Sequence, residues 1–400
     1  MDTKTNVAPP ASDTEATVEA LNAKWRNYIC QAMNLDPDSF QLAQGGLGLQ
    51  TSDNYGLFRM ADAVPASSAV GFYDAGTTNS RAAAYSALLN ALLTESGSSA
   101  FRTALGNYYS AWYAWSQANL PAKGDTMESR VQQWGMVQSI EPGVITNAVA
   151  AIQQAANTPL ARARARMWTN AANYQQQFNP PGQPATSLFI YTATTDNAQN
   201  AINQGASLTL DFDSSTSSSD VSSTFAEGSA SGFYSIFSAD VSGSFDKLDS
   251  KAASASMQIS GRIGKFATLS VGPGEWYDSS EVNRAFKAPN DNTVWDPSSR
   301  SGTYDSFFGQ PDGALARYVT QLVLVSDYEI TVTSTATYSQ EDYQQIKTHA
   351  EGGIWPFFSA SADATHTTDI KLDSNNHLVT TVTLNKGLIQ IWGVSVQNQA

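Results

Sequence analysis

Between about Gln321 and Tyr338 the chain runs without Gly or Pro. It is apolar on both faces at Leu322, Val323, Leu324 and Val325. It then alternates, with Tyr328, Ile330, Val332, Ala336 and Tyr338 set against Glu329, Thr331, Thr333, Thr335 and Thr337. A period of two places the apolar set on one face of a strand. Strands usually hold about 5–6 residues, so this one either leaves the body of a small domain or bends sharply within it.

The same period governs most of the chain after Ser187. Ala206, Leu208, Leu210 and Phe212 alternate with polar residues, as do Phe237, Ala239, Val241, Gly243 and Phe245. Met257, Ile259, Gly261 and Ile263 form a further strand that closes before Gly272-Pro273-Gly274. The Ser-rich stretch 214–232 reads as weakly ordered, and Lys247 to Ser256 as a short helix. Ser339 and Asp342 cap another helix carrying Tyr343, Ile346 and Ala350, which Gly352-Gly353 ends. Phe358, Ala360, Ala362 and Ala364 resume the alternation; Asn375-Asn376 and Asn385-Lys386-Gly387 read as hairpin turns.

The first half has a helical period instead. Val18, Leu21, Trp25, Ile29 and Met33 make one stripe; residues 35–79 read as mostly irregular. Ser80 opens a second helix, and Phe101, Leu105, Tyr108, Trp112 and Trp115 mark a third that Pro121 ends. Another follows Pro142-Gly143. Thr158-Pro159 starts the last, with Leu160, Met167, Ala171, Tyr174 and Phe178 as its buried stripe. Asn179-Pro180-Pro181-Gly182 stops it. The expected class is therefore α+β: a mainly helical region over 1–182, then a β-rich region over 183–400. The latter is a bent antiparallel sheet of long strands, with short helices between strand pairs.

Composition narrows the function. Acids outnumber bases 36 to 22, a net charge of −14, which argues against a nucleic-acid partner because phosphates need clustered Lys and Arg. One cysteine, Cys30, leaves no internal disulfide framework and no Cys-based zinc site. The polar opening residues carry no secretory signal, and no apolar run reaches the roughly 20 residues of a membrane helix. The expectation is a chain made soluble, either cytoplasmic or exported by a route without a cleaved signal.

Strand, short helix, strand thus occurs twice. Such segments can refold as membrane-crossing β-hairpins, whose arms need roughly 9–11 tilted residues, apolar outside and polar towards the lumen. The lipid-facing candidates are Phe233, Phe237, Ala239, Val241, Phe245, Met257 and Ile259 in the first hairpin. In the second they are Val332, Ala336, Tyr338, Trp355, Phe357, Phe358, Ala360 and Ala362, with Gly352 and Gly353 as a hinge. Backbone groups in lipid must all pair, so insertion requires a closed barrel of several copies. Membrane lipid and further copies of the chain are the expected partners.

Residues 205–395 resemble the membrane-attack-complex/perforin and cholesterol-dependent cytolysin superfamily. The resemblance rests on Tyr304-Asp-Ser-Phe307-Phe308 and on Gly313 to Ile330 in the place of its signature strand. Phe233 to Gly264 stands in the place of its first insertion region. The likeness implies pore formation by two inserting segments per subunit. Three features depart from it. Arg317 and Tyr318 occupy the region of the family's Gly-Thr-His-aromatic core, Ser326-Asp327 replaces a glycine pair, and no lipid-binding domain follows Val396.

Enzymatic signals are weaker. Gly228-Ser-Ala230-Ser-Gly232 has Ala where a nucleophile elbow needs Ser. Gly261-Arg-Ile-Gly264-Lys265 lacks phosphate-loop spacing. His366 points away from Asp363 and Asp369 on a strand, so no metal site is expected there. Glu275, Asp278 and Glu281 beside Trp276 have the residue types of a glycosidase pair, against a solvated loop. Arg162, Arg164 and Arg166 cannot form one phosphate clamp, since alternate helix residues point apart. Arg162 and Arg166 share a face and read as solvated, and the aromatic run 108–115 reads as a buried helix face. No catalytic residue, metal or cofactor is assigned. A pore former leads, with a self-assembling structural protein and a carbohydrate-binding or carbohydrate-acting protein as alternatives.

Overall fold

The computed structural model describes residues 13–49, 53–68, 73, 80–93, 97–119, 127–156, 158–168, 172–180, 184–221, 236–237, 246–296, 299–349, 355–356, 366–384 and 386–399. Its first elements are α1 (Asp13–Ala32), β1 (Phe40–Leu49), α2 (Tyr55–Asp62), α3 (Arg81–Ala91), α4 (Gly97–Leu105), α5 (Tyr109–Ala118), α6 (Met127–Val137), α7 (Pro142–Ala156) and α8 (Pro159–Trp168). There follow β2 (Gln175–Phe178), β3 (Thr186–Phe189), α9 (Thr195–Gln204), β4 (Ala206–Asp213), α10 (Asp246–Ala253), β5 (Met257–Ser270), α11 (Ser279–Phe286) and α12 (Tyr304–Phe308). The chain closes with β6 (Arg317–Thr337), α13 (Gln340–His349), β7 (His366–Leu372), β8 (His377–Leu384) and β9 (Ile389–Asn398). The class is α+β.

The long strand is β6, 21 residues, and it organises the molecule. One edge pairs with β5 from Ser334↔Met257 to Gln321↔Ser270. The other edge is shared: Ser334 to Glu329 face β8, and Ser326 to Arg317 face β9. The chain therefore does not reverse between Leu384 and Ile389, and the expected hairpin around Lys386-Gly387 is corrected to a break between two collinear strands. The other expected hairpin holds, with Leu372↔Leu378 closing β7 on β8.

The break in β8–β9 coincides with a kink in β6. Asp327 has φ +56, the left-handed region, in mid-strand. A Cβ on Gly264, directly across on β5, would lie 2.7 Å from the Asp327 carbonyl oxygen. Glycine is required there by close approach. The kink also shifts the inward parity. Val323 and Val325 face one core before it; Tyr328, Ile330 and Val332 face the same core after it. The expected bend is thus one residue wide.

Two further expectations change. Residues 40–49, read as irregular, form β1, which pairs antiparallel with β9 and draws the helical half into the same sheet. The register slip between Leu42 and Leu47 falls at the Gly-rich stretch that hid the alternation. The helix expected from Thr158 to Phe178 ends at Trp168, and Gln175–Phe178 pairs with β3 instead. Gly106, with φ +50, opens the single turn of 3-10 helix that divides the expected third helix into α4 and α5. Arg164, off the face that Arg162 and Arg166 share, is half-buried, and its guanidinium donates to the Leu89 and Leu92 carbonyls at the end of α3.

Three cores result. One lies between the β6–β9 half of the sheet and α2, α3, α8, α9, α11 and α12, and includes Trp276, Leu322 and Leu324. A second covers the opposite sheet face under α1, α10 and α13. The third joins α4 to α7 through Phe101, Trp112 and Trp134.

Candidate functional site

Seven of the candidate lipid-facing residues lie among the described ones: Phe237, Met257, Ile259, Val332, Ala336, Tyr338 and Trp355. All seven are buried in the second core. Phe233, Ala239, Val241, Phe245, Phe357, Phe358, Ala360, Ala362 and the hinge residues Gly352 and Gly353 lie outside the described residues. The structure therefore brings together, on one face of one sheet, described residues from both segments.

Both segments leave the sheet at the same end. Asp213, Met257 and Ser334 sit in adjacent register there, and β6 continues past it to Thr337. The first segment lays α10 on the covered face, the second α13. Lys251 of α10 and Asp342 of α13 form an ion pair at 2.9 Å. Deeper in, the Trp355 backbone N–H donates to the Ile236 carbonyl at 2.9 Å. The Ile236 N–H in turn donates to the buried Asp249 carboxylate at 2.9 Å. Phe237 meets the Tyr338 ring edge-on at 6.2 Å. Tyr338 bonds Ser334 through its hydroxyl, and burial pushes its phenol up to about 12.

α1 lies over this assembly. Trp25 is its centre, with ring contacts to Phe212 at 5.3 Å, Trp355 at 6.3 Å and Trp392 at 6.4 Å. Asn22 accepts a buried hydrogen bond from Trp355 Nε1 at 2.6 Å. Sequence reasoning placed Trp25 correctly in a buried stripe but assigned Asn22 nothing. Its signal was present: Asn22 is polar, yet lies one turn after Val18, on the apolar side of the helix. Asp249 and Ile236 carried no comparable signal.

The opposite face of the same strands is polar and open. Registers align three rows across five strands. These are Asp213–Gln258–Thr333–Val379–Lys371, Asp211–Ser260–Thr331–Thr381–Asp369 and Thr209–Arg262–Glu329–Thr383–Thr367. None of these fifteen side chains is buried. The strands are thus apolar on one side and Ser/Thr-rich with scattered charge on the other.

Electrostatics tighten the end where the segments leave. Hydrogen bonds from Ser215 and Ser256 hold the Asp213 carboxyl well below the usual carboxylate range. Asp342 is also lowered, first by the Ser339 N–H and then by Lys251. Ser339 and Asp342 satisfy each other reciprocally at 3.0 Å, the expected cap of α13.

The remaining motifs have structural partners. Gly261 to Lys265 lies within β5. Glu281 is buried and bonds Arg284 at 2.7 Å; Asp278 caps α11; Trp276 is buried and donates to the Ile190 carbonyl. Of the solvated loop expected here, Glu275 is exposed and Asp278 half-buried, whereas Glu281 is packed against α11's own Arg284. In the aromatic run, Trp112 is buried while Tyr113 is 55% exposed. Among the described residues no His, Cys, Asp and Glu cluster fits a metal, and no helix is long and apolar enough to cross a membrane. Compared with protein-family models, curated proteins and solved structures, the chain matches none.

Proposed function

We propose that this chain is a membrane-inserting, pore-forming protein in which several copies assemble and each contributes two amphipathic β-hairpins to a shared barrel. One observation carries the reading. Two segments leave one end of a sheet and lie tied together on its apolar face, while the other face of the same strands is polar and uncovered. Extended onto the ends of β4 and β5, residues 214–256 give one hairpin. Residues 338–376 give a second of similar length only if β7 leaves the edge of β8, because β8 is the strand beside β6. Withdrawing Phe237, Tyr338 and Trp355 from the core costs roughly 5–9 kcal/mol, at about 1.5–3 kcal/mol per large side chain. Burial in lipid and completed pairing around a barrel have to offset that, so release belongs to an assembled state.

Dye release from vesicles tests this. Thr367 and Thr383 are paired across β7 and β8 on the open face, so a Thr367→Cys/Thr383→Cys disulfide pins β7 without entering the core. The wild type should leak dye, the oxidised variant should not, and reduction should restore leakage. Sealed vesicles at every lipid composition, a natural extract included, would overturn the reading. Polymers formed without lipid would then favour a self-assembling protein, for which the outermost strand β4 supplies a pairing edge.

A further inference from the structure

We infer that α1 is a removable clamp whose single displacement frees both segments and the outer edge of β4 together. The inference rests on the pore-forming reading for its purpose, and on contacts of α1 for its existence.

α1 touches each moving part separately. Towards the second segment, Asn22 Oδ1 accepts from Trp355 Nε1, and Trp25 packs its ring on Trp355. Towards the start of the first segment, Lys24 Nζ donates to the Ser214 carbonyl at 2.7 Å. Asn27 Nδ2 donates to the carbonyls of Ser218 and Asp220 at 3.1 and 2.7 Å. At the β4 edge, the Tyr28 hydroxyl accepts from the Asp211 N–H at 2.6 Å, which occupies one donor that a new strand would use.

The underside of α1 is an apolar, buried stripe of Val18, Leu21, Trp25 and Ile29, continued at Met33, and Trp355 meets it through its indole. The Asn27 bonds to residues 218 and 220 lie at the surface and exchange readily with water, while the Lys24–Ser214 bond is partly buried. The buried Asn22–Trp355 bond differs: losing one partner leaves the other desolvated and unpaired. Separating α1 therefore breaks the buried Asn22–Trp355 bond and also uncovers the apolar stripe of the helix. Its displacement belongs to the same assembled state that takes up the segments, and weakening that bond lowers its cost. The segments are also tied to each other through Trp355–Ile236 and Lys251–Asp342, so neither opens alone.

The chain carries its own reporter. Cys30, its single cysteine, lies on the buried side of α1, where burial pushes its thiol up to about 11. Alkylation of Cys30 by iodoacetamide at pH 8, without lipid, reads displacement of α1. Amide exchange in α10 and α13 reads release of the segments. Asn22→Ala and Trp355→Phe, which keeps a ring but removes the N–H, should each raise the alkylation rate about tenfold, a factor equal to about 1.4 kcal/mol. Exchange in α10 and α13 should accelerate with it, and α3 and α8 should not change. If either variant also loosens α3 and α8, Lys24→Ala and Asn27→Ala decide, with a smaller but parallel increase in both readouts. Unchanged alkylation, or faster alkylation without faster exchange in α10 and α13, overturns the clamp. A clamp that opens while vesicles stay sealed leaves this inference standing and removes the pore. Leakage with Cys30 protected throughout does the reverse.

Discussion

Asp327 shows how one residue sets the geometry of a long strand. A left-handed conformation costs a residue with a side chain about 1–2 kcal/mol, less for Asp than for most. The kink there is where the inward parity changes and where β8 gives way to β9. Asp327→Gly should keep the kink and raise stability by up to about 1 kcal/mol, read as a higher urea midpoint. Gly264→Ala should lower stability by about 1–3 kcal/mol, because its methyl would meet the Asp327 carbonyl oxygen at 2.7 Å. Equal midpoints for the two variants would mean that the pair does not control the bend. The sequence flagged Ser326-Asp327 as the place where a glycine pair was expected, but not that Asp327 would take a glycine's conformation. Backbone sign at one position has no hydrophobic period to reveal it.

At the scale of elements, legibility followed periodicity. β5, β6, α10 and α13 were readable because ladders and caps leave local marks: alternation over β6, reciprocal bonds between Ser339 and Asp342. β1 was not, because glycines interrupt its alternation and its partner β9 lies at the far end of the chain. α9 also escaped, although Thr194 caps it by accepting from the Asn197 N–H. In the candidate site, the apolar faces of the strands were legible. Their shared cover by α1 was not, since contact between Asn22 and Trp355 spans the whole chain. The polar ties between elements predict an acid response. Asp213 and Asp342 titrate lower in the folded chain than the usual unfolded value of about 3.9. Their stabilisation is therefore complete at neutral pH and lost as pH falls below about 4. Thermal unfolding should be flat from pH 5 to 8 and shift down below pH 4, with α10 and α13 exchanging first. Asp342→Asn should weaken that dependence; an unchanged acid profile would remove the ion pair from the account.

The described residues centre on one seven-stranded sheet that both halves of the chain build, one face covered and the other open near β4 to β8. One face near the β4–β8 end is polar and open. The other holds described residues of both segments, Phe237, Tyr338 and Trp355 among them, under α1 from the start of the sequence. On the proposed pore-forming reading, Ala239, Ala360 and Ala362 are small and weakly apolar, so each hairpin would gain little transfer energy alone and the driving force would lie in pairing between copies. The direct measurement is a scan of an environment-sensitive fluorophore on single cysteines from 238 to 245, in a Cys30→Ser background, before and after mixing with vesicles. The account predicts a blue shift at 239, 241, 243 and 245 and none at 238, 240, 242 and 244. No shift anywhere, or a shift repeating every three to four residues, would contradict insertion as a β-hairpin.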